Sequence, residues 1–211
     1  MAHEHPPALF IAGSIGLDFL NSVATPTADA QVDWLDSGDG LLAWLAQAHL
    51  VPASTLDALQ AQAMPGELDR VAAQARSLRE WFRTFVHARK GRRLAADDVR
   101  ALEPLNSLLQ RDEAFSQVTA VDGGERPAIA LQPTRRWRSP ESLLLPIGQA
   151  LARFVCDEDF AQVKACEGPN CTLMFVDHTR GYKRRWCSMA ICGNRTKAAT
   201  HRKRLKATHE T

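Results

Sequence analysis

Acidic residues are missing from one long stretch of this 211-residue chain. Residues 178–206 contain ten Lys or Arg residues and no Asp or Glu, so the overall charge of +2 conceals a strong asymmetry. Taking these ten from the 26 basic residues leaves 16 against all 24 acidic residues, so the remainder carries −8. The basic stretch is expected to attract a polyanion, whereas nucleic acid would repel the acidic remainder.

Other absences exclude whole classes of protein. No run approaches the roughly eighteen continuous apolar residues of a membrane span, and residues 1–5 lack the basic start of a secretory signal. We therefore expect a cytoplasmic protein without membrane contact. No P-loop, dinucleotide-binding or Ser/His/Asp pattern stands out. The sequence therefore predicts no catalytic residue and no enzyme.

Cysteine is scarce, and its placement is informative. Four of the five cysteines form two pairs, Cys166 with Cys171 and Cys187 with Cys192; each pair encloses four residues, and 15 separate the pairs. This spacing is typical of a structural zinc site with four thiolate ligands rather than of disulfides. Unligated thiols and redox chemistry are the alternatives. The fifth cysteine, Cys156, has no partner at ligand spacing and is predicted to pack in the core.

Helical periodicity dominates the first 160 residues. Apolar residues recur at threes and fours over 40–50, 54–63, 67–90, 97–111 and 139–157, and Pro104 and Pro146 are expected to kink or restart their helices. Residues 115–121 and 128–131 favour one β-hairpin around an Asp-Gly-Gly-Glu turn. The sequence predicts a mainly α-helical domain, 1–160, with one hairpin, and a treble-clef-like or ribbon-like zinc module, 161–211.

The zinc module is predicted to present a basic helix. Residues 172–176 and 182–186 are expected to pair as strands, with Ser188 capping a helix that holds Cys192 in its opening turns and runs to about residue 206. Double-stranded DNA is the expected partner of the basic residues, although charge runs are often solvated faces. The candidate nucleic-acid-binding residues are Lys183, Arg184, Arg185, Arg195, Lys197, Arg202, Lys203 and Lys206.

Several short motifs resemble a known family. Cys166-x4-Cys171, Phe175-Val176-Asp177 and residues 184–197 are similar to the CGNR zinc finger, and residues 17–22, 78–80 and 105–106 resemble the ABATE domain that accompanies it. The resemblance implies a bacterial stress-induced transcription regulator whose finger contacts DNA. His178 departs from the family pattern, in which Arg or Lys is commoner, and so removes a fixed positive charge from the finger loop.

The larger domain is expected to sense a small molecule, to form a homodimer, or both. Asp18, Asn21 and Arg79 are the candidate residues of an effector pocket, and the structural alternative is a buried carboxylate paired with an arginine, or an amide that caps a turn. Trp186 is predicted to belong to the core of the finger rather than to stack on a base. RNA binding, protein interaction through the finger, and an enzyme site in the helical domain remain alternatives.

Overall fold

The computed structural model describes residues 5–27, 30–121 and 128–198, and helices dominate them. The helices are α1 Ile15–Leu20, α2 Gly38–Gln47, α3 Ala53–Gln62, α4 Glu67–Arg89, α5 Glu103–Leu109 and α6 Leu144–Asp157. Short 3₁₀ turns occupy Ala96–Leu102, Pro140–Leu143 and Phe160–Gln162. Among these described helices, none combines the length and the apolar content needed to cross a bilayer.

The strands of the described residues form three separate antiparallel pairs, whereas the sequence predicted two, one hairpin in the helical domain and residues 172–176 with 182–186 in the zinc module. They are β1 Val23–Thr27 with β2 Ala30–Asp33, β3 Ala114–Val121 with β4 Ala128–Arg135, and β5 Val163–Ala165 with β6 Met174–Val176. The predicted hairpin is β3–β4. The β1–β2 pair was missed and β6 was predicted with the wrong partner, because these strands are only three to five residues long, too short for a clear alternation. The predicted fold class, mainly helical with a zinc module, is confirmed.

The core is built around α4, whose 23 residues carry apolar side chains at helical spacing. Its Phe82 ring packs edge-on against Phe154 of α6 at 6.0 Å between centroids, and the centroids of the Phe154 and Phe160 rings lie 5.0 Å apart.

Proline is tolerated at the start of a helix, because the N–H groups of the first turn have no partner within the helix and the missing N–H costs nothing there. Pro104 lies in the first turn of α5, so it restarts the helix after the 3₁₀ turn, as expected.

Helix α1 packs so closely on α6 that only glycine fits at residue 16. A Cβ atom on Gly16 would lie 2.7 Å from both the Ala150 carbonyl oxygen and the Phe154 Cβ atom. Helix α1 is buried along nearly its whole length, so it sits at the centre of the molecule despite having six residues. Its position matters because the segment that contains it also contacts the cysteine-rich region.

The cysteine-rich region and the helical domain share one hydrophobic core. Leu173, Met174 and Phe175 are buried among the same residues as α1 and α6. Asn21 at the end of α1 forms two hydrogen bonds with Met174, donating from Nδ2 to the carbonyl oxygen at 2.8 Å and accepting its N–H at 3.0 Å. The Val176 N–H donates to the Ala12 carbonyl at 2.8 Å. The predicted boundary near residue 160 therefore lies within a continuous core.

Candidate metal centre

The four predicted ligands converge on one point. The sulfur atoms of Cys166, Cys171, Cys187 and Cys192 all lie within 4.8 Å of one another. Two of the Sγ–Sγ distances are 3.6 and 3.9 Å, far beyond a disulfide bond and close to the roughly 3.8 Å edge of a tetrahedron whose metal–sulfur bonds are about 2.3 Å. The arrangement therefore fits a four-coordinate zinc ion.

The first pair lies on a tight loop between β5 and β6. The Cys166 N–H donates to the Leu173 carbonyl at 2.9 Å and so extends the hairpin, and Asn170 turns the loop in the left-handed region at φ 60°. Gly168 leaves room for the thiols, because a Cβ atom there would lie 2.8 Å from the Cys192 sulfur. The Cys166 sulfur accepts the Cys187 N–H at 3.2 Å, which is the kind of contact that stabilises a thiolate.

The second pair lies at the start of a helix, as predicted. Ser188 accepts the Ala190 N–H through its side chain and caps a π-helical turn, Met189–Gly193, and residues 194–198 continue as helix. Cys187 precedes this turn and Cys192 lies inside it. The predicted pairing of residues 172–176 with 182–186 is wrong, because β6 pairs with β5 instead. One pair of ligands lies on the loop of a hairpin and the second pair lies at the start of a helix, and this arrangement is treble-clef-like.

The chemistry of the four thiols fits a divalent cation. A hydrogen bond from Cys187 lowers the pKa of the Cys171 thiol to about 5, and the same contact raises the pKa of Cys187 above its usual range. Burial raises the pKa of Cys192 to about 12. Neighbouring thiols therefore oppose one another's ionisation, and four thiolates need a cation between them. Cys156, by contrast, is exposed at the end of α6, so its prediction as a core residue is wrong.

Comparison with protein families agrees with this geometry. Residues 13–158 match the ABATE family, described as "Putative stress-induced transcription regulator", over more than half of the chain. The chain belongs to the ABATE family. Residues 162–205 match the CGNR zinc finger, so the four cysteines of this finger are the ligands of a structural zinc site. No curated protein matches the chain.

Within the CGNR finger, Arg184 is a structural residue. Its guanidinium donates to the carbonyl oxygens of Trp186, Val176, Ile11 and Cys187, and its central carbon lies 4.1 Å from the centroid of the Phe175 ring. One side chain thus ties together the zinc-binding loop, β6 and the segment before α1. Arg184 was predicted to bind nucleic acid, but these contacts use most of its N–H donors.

Asp177 holds the loop that carries Arg184, and sequence reasoning missed this role. Although burial opposes its ionisation, hydrogen bonds from Lys164 and Thr179 and from the Arg184 N–H keep the pKa of Asp177 below its usual range. Its side chain is fully buried. The signal available in the sequence was a lone acidic residue directly after an apolar strand and before a basic run.

The other predicted nucleic-acid-binding residues differ in their surroundings. Lys183 and Arg185 are exposed and line a groove of about 680 Å³ beside Trp186 and Met189. Arg185 pairs with Glu167 at 2.6 Å and lies 5.2 Å from the Trp186 ring. Trp186 packs against the core, as predicted. Arg195 and Lys197 lie on the helical residues 194–198, and Arg202, Lys203 and Lys206 lie outside the described residues.

The predicted effector residues of the ABATE domain all have structural partners. Asp18 accepts the N–H groups of Ile11 and Ala12, each at 2.9 Å, and burial raises its pKa to about 6. Asn21 binds Met174, as described above. Arg79 is buried and forms two hydrogen bonds with Asp33, at 2.7 and 2.8 Å. All three residues therefore have structural contacts, although the carboxylate that pairs with Arg79 is Asp33 and not Asp18, and Asp18 and Asn21 fix the segment that contacts the finger.

Proposed function

We propose that this protein is a transcription regulator that binds double-stranded DNA through its CGNR finger, with the ABATE domain as its dimerisation and sensing unit. The observation that carries the proposal is the one-sided charge of the finger. Residues 178–198 contain no acidic side chain, and the exposed Lys183 and Lys197 form no ion pair with any described residue. Cations that have no protein partner are available for phosphates.

The role proposed for zinc is to orient these cations. The metal centre fixes Cys187 and Cys192, and Arg184 fixes the loop between them and β6, so Lys183 and Arg185 project from a rigid base. Four thiolates fill a tetrahedron and leave no open position for a substrate. We therefore propose a binding protein rather than an enzyme, acting in the cytoplasm of a bacterium, where reducing conditions keep the ligands as thiols.

The sensing role has a cavity to support it. About 300 Å³ of space lies between α1 and α6, lined among others by Gly16, Gln149 and Arg153. Gln149 and Arg153 form no side-chain hydrogen bond or ion pair with any described residue, and a guanidinium beside an amide suits a small carboxylate or phosphate. A ligand here would touch α1, which continues into the segment that binds the finger.

The first test is selection of the zinc-loaded full chain against a randomised duplex DNA library at about 0.15 M salt, where nonspecific contacts weaken. We expect enrichment of a defined motif. Stoichiometric zinc without any enriched motif would contradict the proposal, and preference for RNA over duplex DNA, or no nucleic-acid binding at all, would favour an RNA-binding or protein-interaction finger.

The contact residues are tested on the enriched sequence by fluorescence anisotropy in a salt titration. Replacing Lys183 or Lys197 with Gln should weaken binding and lower the slope of log K against log salt by about 0.9 for each lost phosphate contact. Arg93→Gln is the matched control, because this exposed cation lies in the helical domain. If the control changes the slope as much as Lys183→Gln does, the finger is not the DNA contact.

A further inference from the structure

Within the part of the chain that the structure describes, the β3–β4 ribbon carries more exposed large apolar side chains than any other element. Its eight residue pairs run from Ala114 opposite Arg135 to Val121 opposite Ala128. Val118, Ile129 and Leu131 are 65%, 80% and 69% exposed. Register places all three on one face, since Val118 is opposite Leu131 and Ala120 is opposite Ile129. Neither strand joins another described strand, and an isolated two-stranded ribbon is only marginally stable in water.

The two outer edges of this ribbon differ in their ability to pair. Strand β4 contains Pro133, which has no N–H, and ends in the charged Arg135. Strand β3, Ala114–Val121, contains no proline and no charged residue, and its composition is rich in β-branched residues. Proteins usually protect exposed edges with proline or lysine, because unpaired N–H and C=O groups recruit other strands. The β4 edge has such protection and the β3 edge has none.

We infer that two copies of this protein pair through their β3 edges, antiparallel across a two-fold axis, to form a four-stranded sheet in the order β4–β3–β3–β4. The inference rests on the dimerisation role proposed above and names its surface. A strand that meets its own copy across a two-fold axis is necessarily antiparallel, and the contact is self-complementary. The uncharged β3 edge meets this condition, because self-pairing brings no like charges together.

The size of the contact sets its strength. Eight residues at about 3.4 Å each give an edge roughly 25 Å long, so a contact that is one strand wide buries less area than the standard interface of about 800 Å² per partner. The dimer is therefore expected to be reversible, with a Kd on the order of micromolar. Val118 of each copy gains a same-face neighbour on the partner strand, which covers part of its exposed surface.

The chain offers a matched pair of variants for the test. Gln117 lies near the middle of β3, and its register partner on β4 is Gln132. A lysine at residue 117 would face its own copy within about 8 Å across the axis. Lysines at residue 132 would lie three strand spacings apart, about 14 Å, beyond the Debye length of about 8 Å at physiological salt. Both variants add the same charge to the same ribbon.

The experiment is sedimentation velocity of the zinc-loaded full chain, without DNA, from about 1 to about 100 μM. We expect wild type and Gln132→Lys to dimerise alike and Gln117→Lys to raise Kd at least tenfold. Circular dichroism and zinc content check that both variants fold. A wild type that stays monomeric throughout, or equal weakening by both variants, would overturn the inference.

Hydrogen exchange by mass spectrometry separates edge pairing from contact through the apolar face. As concentration rises, amides of β3 should exchange more slowly and those of β4 should not change. Protection confined to β4, or to neither strand, would also overturn the inference. If the protein is a monomer that selects a DNA motif, only the proposed dimer surface is wrong. If it is a dimer paired through β3 that selects no motif, only the DNA-binding role is wrong.

Discussion

Neighbouring arginines in the finger have different roles at the scale of single residues. Arg184 donates to four carbonyl groups, whereas Arg185 is 61% exposed and pairs with Glu167. Arg184→Gln should lower the free energy of unfolding by roughly 2–3 kcal/mol, because several carbonyls lose a charged donor. Arg185→Gln should change it little. Denaturant unfolding at fixed zinc measures both, and equal losses would contradict the structural role of Arg184.

Asp18 predicts a specific pH dependence. Burial raises its pKa from 3.8 to about 6 in the folded protein. A carboxyl with a raised folded pKa loses stability as pH rises from the unfolded value through the folded one. Asp18→Asn removes this loss, so the variant should gain about 1 kcal/mol relative to wild type between pH 5 and 7.5. Denaturant unfolding of both proteins across this range measures the difference between their free energies of unfolding. Any effect of pH on zinc binding is common to both proteins and cancels in this difference. A constant difference would contradict an ionisable buried Asp18.

At the scale of elements, the close approach of α1 to α6 is tested at Gly16. Gly16→Ala would place a methyl group 2.7 Å from the Ala150 oxygen and the Phe154 Cβ atom, and the shift this forces should cost about 1–3 kcal/mol. Gly181→Ala is the control, because its nearest neighbours are side-chain carbons of Lys183 at 3.7 Å. Thermal unfolding with zinc present measures both, and a neutral Gly16→Ala would show that α1 can move freely.

Sequence periodicity predicted most of these elements because their causes are local. Helical spacing and prolines located α2 to α6, and the thiol spacing located the metal centre. The pairing of β5 with β6 was missed because three-residue strands carry little pattern. The roles of Arg184 and Asn21 were missed for another reason: each has a partner far along the chain, Ile11 at 173 residues from Arg184 and Met174 at 153 residues from Asn21. An arginine within a basic run also has the same sequence signature whether it binds phosphate or backbone.

At the scale of the whole molecule, zinc should stabilise more than the finger. Metal binding contributes folding free energy to zinc fingers, and the finger's Met174 and Val176 bind residues 21 and 12 of the ABATE region. Removing zinc with a chelator should therefore speed hydrogen exchange in residues 163–193 and in residues 11–21, and affect the middle of α4 less. Faster exchange confined to the finger would contradict this coupling.

Cysteine variants separate loss of zinc from nonspecific effects of the chelator. Cys171→Ser removes a ligand and should lower zinc content and reproduce the faster exchange, because three thiolates hold the ion more weakly. Cys156→Ser is the matched control, because Cys156 is exposed and outside the cluster. Atomic absorption measures zinc per chain, and loss of zinc from Cys156→Ser would show that the metal site has been assigned to the wrong thiols.

The short segment before α1 has a practical consequence for anyone who truncates or recombines this protein. The match to the ABATE family begins at residue 13, so a chain trimmed to that match would lack Ile11 and Ala12. Their carbonyl oxygens accept hydrogen bonds from Arg184 and Val176 of the finger. A protein expressed from residue 13 onward would therefore lose these hydrogen bonds between the ABATE region and the finger. A finger moved to another protein needs residues 11–21 with it.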